Sequence, residues 1–238
     1  MSTAQQLPSP QWLERANRLS LVGRVLTGTV HDVNNALQVV GGSAELLQVG
    51  SIQSEAAVRR VAAIGVHSQR ATGLLADLTS FVKEVESPVA AVDLIDVAEC
   101  ALVLRRHSLN RLQLAPVIEG ERVRVEACRR RVLQIVLNLI INAERALAGV
   151  RGGALRLTVA HDDGCGSFTV ADNGPGFPAE QAEAIFEARL WRDGPVDDLG
   201  IGLCVSRWLA GRDHGTLTAV STPAAGAAFT LRLPVSRC

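Results

Sequence analysis

The chain has 238 residues, 47% of them hydrophobic, enough for one large domain or two small ones with a real core. Aromatic residues make up only 3% and tyrosine is absent, so the core must be aliphatic. Lys and Arg number 24, Asp and Glu 24; the resulting net charge of zero argues against a nucleic-acid binder. No apolar run reaches the ~18 residues of a membrane span, and MSTAQQLPSP lacks a signal-peptide core. Cys100, Cys128, Cys165, Cys204 and Cys238 are odd in number, scattered and free of any CxxC pair, as expected of reduced thiols in a cytoplasmic protein.

Residues 11–87 read as a helical domain. Val22, Leu26, Val30, Val33, Leu37, Val40, Ala44 and Leu47 step by threes and fours, the pattern of an amphipathic helix. Two fours in a row, from Val22 to Val30, form a stutter just ahead of His31. Gly50 and Ser51 mark a turn. Ala57, Val61, Ile64, Ser68, Ala71, Leu75, Leu78, Val82 and Val85 then make the stripe of a second helix, which Pro88 ends. The stripe is too wide for a lone antiparallel hairpin to bury, so a homodimer through a four-helix bundle is expected.

Residues 88–238 read as a second domain of alternating elements. Strands are predicted near 91–94, 111–118, 122–125, 153–160, 167–172, 216–221 and 227–234, and helices over 96–109, 129–148 and 200–211. Strands mixed with three main helices, without strict βαβ repeats, predict an α+β sandwich with helices on one sheet face. The whole is a multidomain α and α+β chain.

Three stretches carry chemistry. In LNLIINAERAL (137–147), Asn138 and Asn142 share one helix face while Val132, Ile135, Val136, Leu139 and Ile140 can face the sheet. In VADNGPGF (170–177), Asp172 ends a strand, and Gly174 and Gly176 let backbone approach a ligand closely. In DLGIGLCV (198–205), Gly200 and Gly202 open an amphipathic helix whose bare amides can meet an anion. In this order the stretches resemble the N, G1 and G2 boxes of the GHKL (Bergerat) α/β sandwich of gyrase, Hsp90, MutL and histidine kinases.

That resemblance implies ATP and Mg²⁺ as cofactors. It places Asn142 on Mg²⁺, Asn138 in the same site, Arg145 on phosphate and Asp172 on the adenine amino group. Phe177, with Ile185, Phe186 and Glu187, looks like the F box beneath the nucleotide lid. Gly200, Ile201, Gly202 and Leu203 stand for the G2 box, whose usual first glycine is here Asp198. The lid, ARLWRDGPVDD, departs from the Phe-rich Thr-Lys pattern. Arg189 and Arg192 can supply charge to phosphates, which Asp193, Asp197 and Asp198 would repel.

His31, within HDVNN (31–35), resembles the H box of HisKA-type histidine kinases of the HDxNN variety. By that resemblance the hairpin is a dimerisation and phosphoacceptor domain and the remainder a catalytic ATP-binding domain. His31 would be phosphorylated from ATP and pass the phosphoryl group to the receiver-domain aspartate of a response regulator. Asp32 would orient the ring and take its other proton. Asn35 would position the water that dephosphorylates the regulator. His67, His107, His161 and His214 read as solvated surface residues. Fewer than twenty residues precede the first helix, so the expectation is a core without its own sensor domain, driven by a separate protein. Two alternatives stand beside this reading. One is a phosphorelay histidine phosphotransferase with a degenerate ATP domain; the other is a non-catalytic dimeric ATP-binding interaction module.

Overall fold

The computed structural model describes residues 9–49, 55–82, 88–187 and 200–236. The expected hairpin turn at Gly50 and Ser51, Val85, and the expected lid with Arg189 and Arg192 lie outside the described residues. Two long helices, α1 (Pro10–Val49) and α2 (Glu55–Val82), come first. They run antiparallel: Arg60 Nη1 donates to Leu46 O (3.1 Å) at one end and Arg18 Nη1 to Val82 O (3.0 Å) at the other.

The apolar stripe expected on these helices is only partly inward. Ala57, Ala71 and Leu78 are buried, but Leu26, Val30, Leu37, Val61, Leu75 and Val82 are exposed. A single hairpin has one seam to fill, and α1 turns a different face, Leu13, Leu21 and Val25, into the core it shares with the rest of the chain. An apolar row is left open along both helices.

The second half is a two-layer sandwich. Strand β1 (Ala90–Asp93) leads into helix α3 (Leu94–Arg111), which Asp93 caps by accepting from Ile95 N (2.9 Å) and Asp96 N (3.4 Å). β2 (Val117–Gly120) and β3 (Arg124–Ala127) precede the central helix α4 (Arg129–Leu147). The hairpin β4 (Leu155–Asp162) and β5 (Cys165–Asp172) follows, then α5 (Gly202–Arg212), β6 (Thr216–Thr222) and β7 (Gly226–Pro234). The main sheet has order β2-β4-β5-β7-β6, parallel only between β2 and β4. β1 and β3 pair separately, and a Val125–Val235 bridge joins them to the end of β7.

Burial alternates along β5 and β7, as in a sheet covered on one face. Phe168, Val170, Phe229, Leu231 and Leu233 point inward to meet Val132, Ile135, Val136, Leu139 and Ile140 of α4 in one continuous cluster. Leu13, Leu21, Val25, Leu78 and Phe81 of the hairpin belong to that same cluster, so both halves share a core.

Two local readings are corrected. The strand expected at 111–118 begins only at Val117, because α3 continues to Arg111 and closes with Leu114 N donating to Leu109 O (2.9 Å). Leu114 is buried there, so alternating leucines serve a helix end rather than a strand. The central hairpin is longer than expected, because Asp163 (φ 47°) and Gly164 (φ 74°) form a two-residue turn with both φ positive.

Candidate functional site

The polar face of α4 looks out between α1 and α5. Asn138 is buried and fully engaged: its Nδ2 donates to Asn17 Oδ1 (2.9 Å), Gly202 O (3.2 Å) and Ser206 Oγ (3.0 Å). Its Oδ1 accepts from Asn17 Nδ2 (3.0 Å). Gln134, one turn earlier, donates to Asn17 Oδ1 (2.9 Å) and Glu14 O (3.2 Å). The amide of Asn17 therefore latches α1 onto α4.

Beside this latch is a cavity of about 120 Å³. Asn138, Asn142 and Arg145 of α4 line it together with Gly200, Ile201, Gly202 and Leu203; Asn17, Ser20, Leu21 and Arg24 of α1 wall its other side. A Cβ on Gly202 would stand 3.1 Å from Asn138 Oδ1, so the bare glycine lets α5 start against α4. Gly200 has φ +64°, which turns the chain into that helix. The volume falls below the roughly 300–1,000 Å³ of ordinary ligand pockets. Docked α1 narrows this side of the site.

Asp172 stands at the far end of the same helix face. It is 8% exposed, its Oδ1 accepts from Gly174 N (2.9 Å), and the Ala227 amide also donates to its carboxylate. Burial raises its pKa above the ordinary carboxylate value, while the two N–H bonds pull it back. A Cβ on Gly174 would lie 3.1 Å from that of Ala146, which follows Asn142 by one turn on α4. Gly176 has φ +62°, and a Cβ there would fall 2.3 Å from Thr222 O, so only glycine fits. Phe177 N donates to Ser221 Oγ (2.8 Å), and its ring lies 6.2 Å from Phe229. Phe186 is buried beneath the Arg207 guanidinium at 4.8 Å.

His31 lies on α1, its side chain 55% exposed. Asn35 Nδ2 is 3.1 Å from His31 Nδ1, whereas Asp32 Oδ1 is 3.8 Å away, beyond hydrogen-bond reach. Arg24, at the cavity wall, precedes His31 by seven residues, about 10 Å along the helix. His107, expected as a solvated surface residue, is half-buried instead, its ring 4.7 Å from that of His31. Gly28 makes this approach possible: a Cβ there would meet His107 Cβ at 3.0 Å.

The donor chemistry of Asn142, a half-buried amide at the cavity wall, suits Mg²⁺, a hard ion that takes one or two protein oxygens besides water and phosphate. Glu144 is not available for such a role; it is buried against Arg105 and accepts from Ser108 Oγ (3.1 Å). Asn17, Ser20, Arg24 and Ser206 escaped the sequence reading. Asn17 had a readable signal, since it stands midway between Leu13 and Leu21 on a four-residue step where an apolar residue belongs.

Residues 127–237 match the family described as histidine kinase-, DNA gyrase B-, and HSP90-like ATPase. The chain is 28% identical over 225 residues to sensor histidine kinase ZraS of Klebsiella oxytoca, covering 93% of this chain and 48% of that protein. It is 28% identical over 245 residues to the C4-dicarboxylate transport sensor protein DctB of Rhizobium meliloti, covering 97% and 38%. The chain thus spans about half or less of the length of these relatives.

Among solved structures, full-length ShkA with AMPPNP superposes with a TM-score of 0.55 at 23% identity over 91% of this chain and 46% of that one. Histidine kinase ThkA in complex with response regulator protein TrrA superposes at 0.52 and 19% identity, over 98% and 68%. These likenesses establish the fold: a helical hairpin followed by the α/β sandwich of histidine kinase catalytic domains.

Proposed function

We propose that this chain, whose residues 127–237 match the histidine kinase-, DNA gyrase B- and HSP90-like ATPase family and which is similar to sensor histidine kinases, is a protein histidine kinase that phosphorylates itself on His31 and hands the phosphoryl group to a response-regulator aspartate. The observation that carries this reading is the HDVNN histidine on an exposed helix face, in one chain with the ATPase domain. Residues 11–87 would be the phosphoacceptor hairpin and 88–238 the catalytic domain. The open apolar row on α1 and α2 favours a second copy as its cover, giving a homodimer through a four-helix bundle.

In the proposed reaction a neutral imidazole nitrogen of His31 attacks the γ-phosphorus. An N–P bond forms, the bridging β–γ O–P bond breaks, and ADP leaves. The ring's other N–H proton passes to Asp32 or through solvent. Asn142 would hold Mg²⁺, which neutralises charge on the transferring phosphates, and Arg145 would add to that neutralisation. Asp172 would accept from the adenine amino group. Arg24 and His31 sit on one helix about 10 Å apart, so transfer requires α1 to shift from its docked position. A receiver domain as acceptor is favoured by the ThkA–TrrA complex.

The test is incubation with Mg²⁺ and γ-labelled ATP beside His31→Ala. Acid-labile, alkali-stable label that disappears in the variant is the expected result. Label uptake only from a phosphorylated receiver would instead make the chain a phosphotransferase. Asn35→Ala is expected to lose regulator phosphatase activity and keep autophosphorylation; equal loss of both would refute that division.

A further inference from the structure

We propose that His31, Asp32 and His107 form a binding site for a divalent transition metal, zinc by the chemistry of its ligands, which joins the hairpin to the catalytic domain. One ligand atom from each of the three side chains lies within 4.8 Å of the others. Two imidazoles and a carboxylate are borderline donors that suit Zn²⁺ rather than Mg²⁺. From Zn–N and Zn–O lengths of about 2.0–2.1 Å, tetrahedral ligands stand about 3.3 Å apart. The present spacing closes to that value by side-chain rotation of about 1.5 Å or less, available because His31 is 55% exposed and His107 only half-buried. That exposure also leaves a fourth position open to water.

The surroundings hold the pair in place. Gly28 lets His107 reach α1, and Arg105, one turn-half before His107 on α3, donates to Arg24 O at 2.9 Å. These contacts set α3 against α1 without the metal, so little ordering remains for binding to drive. Asn35 Nδ2 lies 3.1 Å from His31 Nδ1 and holds the ring over this face of α1. Among the described residues, neither Asp32 nor His107 is ion-paired with a lysine or arginine.

The consequence rests on the kinase reading, the binding itself does not. A ring whose nitrogen lone pair is given to zinc cannot use it to attack phosphorus, and α1 is pinned to α3 while the metal stays. Zinc would then hold the core in a docked, non-transferring state.

The experiment titrates the metal-free full chain with Zn²⁺ by calorimetry and with Co²⁺ by visible absorption, for wild type and His107→Gln. Expected are one tight site in the wild type, a tetrahedral Co²⁺ spectrum without sulfur-to-metal charge transfer, and at least tenfold weaker binding in His107→Gln. No binding, a thiolate spectrum, or unchanged affinity in the variant would overturn the assignment. If His107→Gln does not fold by circular dichroism, Asp32→Asn takes its place in the same titration under the same criteria. Labelling from ATP is expected to fall with Zn²⁺ in the wild type and to persist in His107→Gln; equal suppression in both would also overturn it. A chain that takes no label with or without zinc fails the kinase reading alone, and the titration still decides the metal site.

Discussion

Asn17→Ala tests whether docking of α1 governs access to the nucleotide site. The Asn17 amide donates to Asn138 Oδ1 and accepts from Asn138 and Gln134, at 2.9–3.0 Å and out of solvent. Each such bond contributes about 1 kcal/mol net, and leaving a buried acceptor unpaired adds to the loss. Asn138 Nδ2 keeps Gly202 O and Ser206 Oγ, and Gln134 Nε2 keeps Glu14 O, so only Asn138 Oδ1 loses a bond these groups do not replace. Because the adjoining cavity can admit a water to that oxygen, the expected weakening of docking is about 2 kcal/mol rather than 3. At 1.4 kcal/mol per tenfold, the docked population falls by ~30-fold relative to the released one. Docked α1 walls the cavity that Asn142 and Arg145 line, so apparent affinity is expected to rise with the released fraction. Calorimetric titration with AMPPNP is expected to show binding about 5- to 30-fold tighter than wild type. Unchanged or weaker binding, in a variant whose sandwich still melts cooperatively, would refute the argument; Asn17 would then be an aid to the site and not a barrier.

Three further outcomes are expected. Glu144→Ala strands the buried Arg105 guanidinium and removes the acceptor of Ser108, so chemical denaturation should show a loss of about 3–5 kcal/mol. Asp172 has a folded pKa raised by burial, so its neutral form favours the fold and that contribution is lost as pH rises through the folded value. Asp172→Asn should therefore leave the ligand-free chain at least as stable at neutral pH while weakening AMPPNP binding, and a large fall in melting temperature at pH 7 would contradict this. Cys100 has its thiol pushed up to about 11 by burial first and by Asp77 second. Mass spectrometry after iodoacetamide at pH 8 should find it unmodified in the folded chain and modified after denaturation; early labelling of Cys100 would contradict its burial.

Local chemistry made much of this chain readable. The three-and-four spacing of α1, the aliphatic face of α4 with its two asparagines, and the glycines after Asp172 each depend on neighbours within a turn or a strand. Such features survive without knowledge of the rest of the fold. The Asp163–Gly164 turn carried a signal the expected strand ends did not use, since an acid followed by glycine between two β-like runs suits a turn with both φ positive. The leucines at 109–114 misled because alternation over so few residues serves a helix end as well as a strand.

The sequence by itself determined the order of helices and strands and the aliphatic core, and it supplied the residues proposed for a nucleotide and a phosphoacceptor. Only the tertiary structure decided that α1 buries Leu13, Asn17 and Leu21 against the second half, which leaves Leu26, Val30 and Leu37 open. It also decided that Asn138 spends its amide on Asn17, 121 residues away, and that His107 meets His31. The physical reason is that periodicity shows which residues prefer to be covered, whereas the partner that covers them is set by competition among faces distant in the chain.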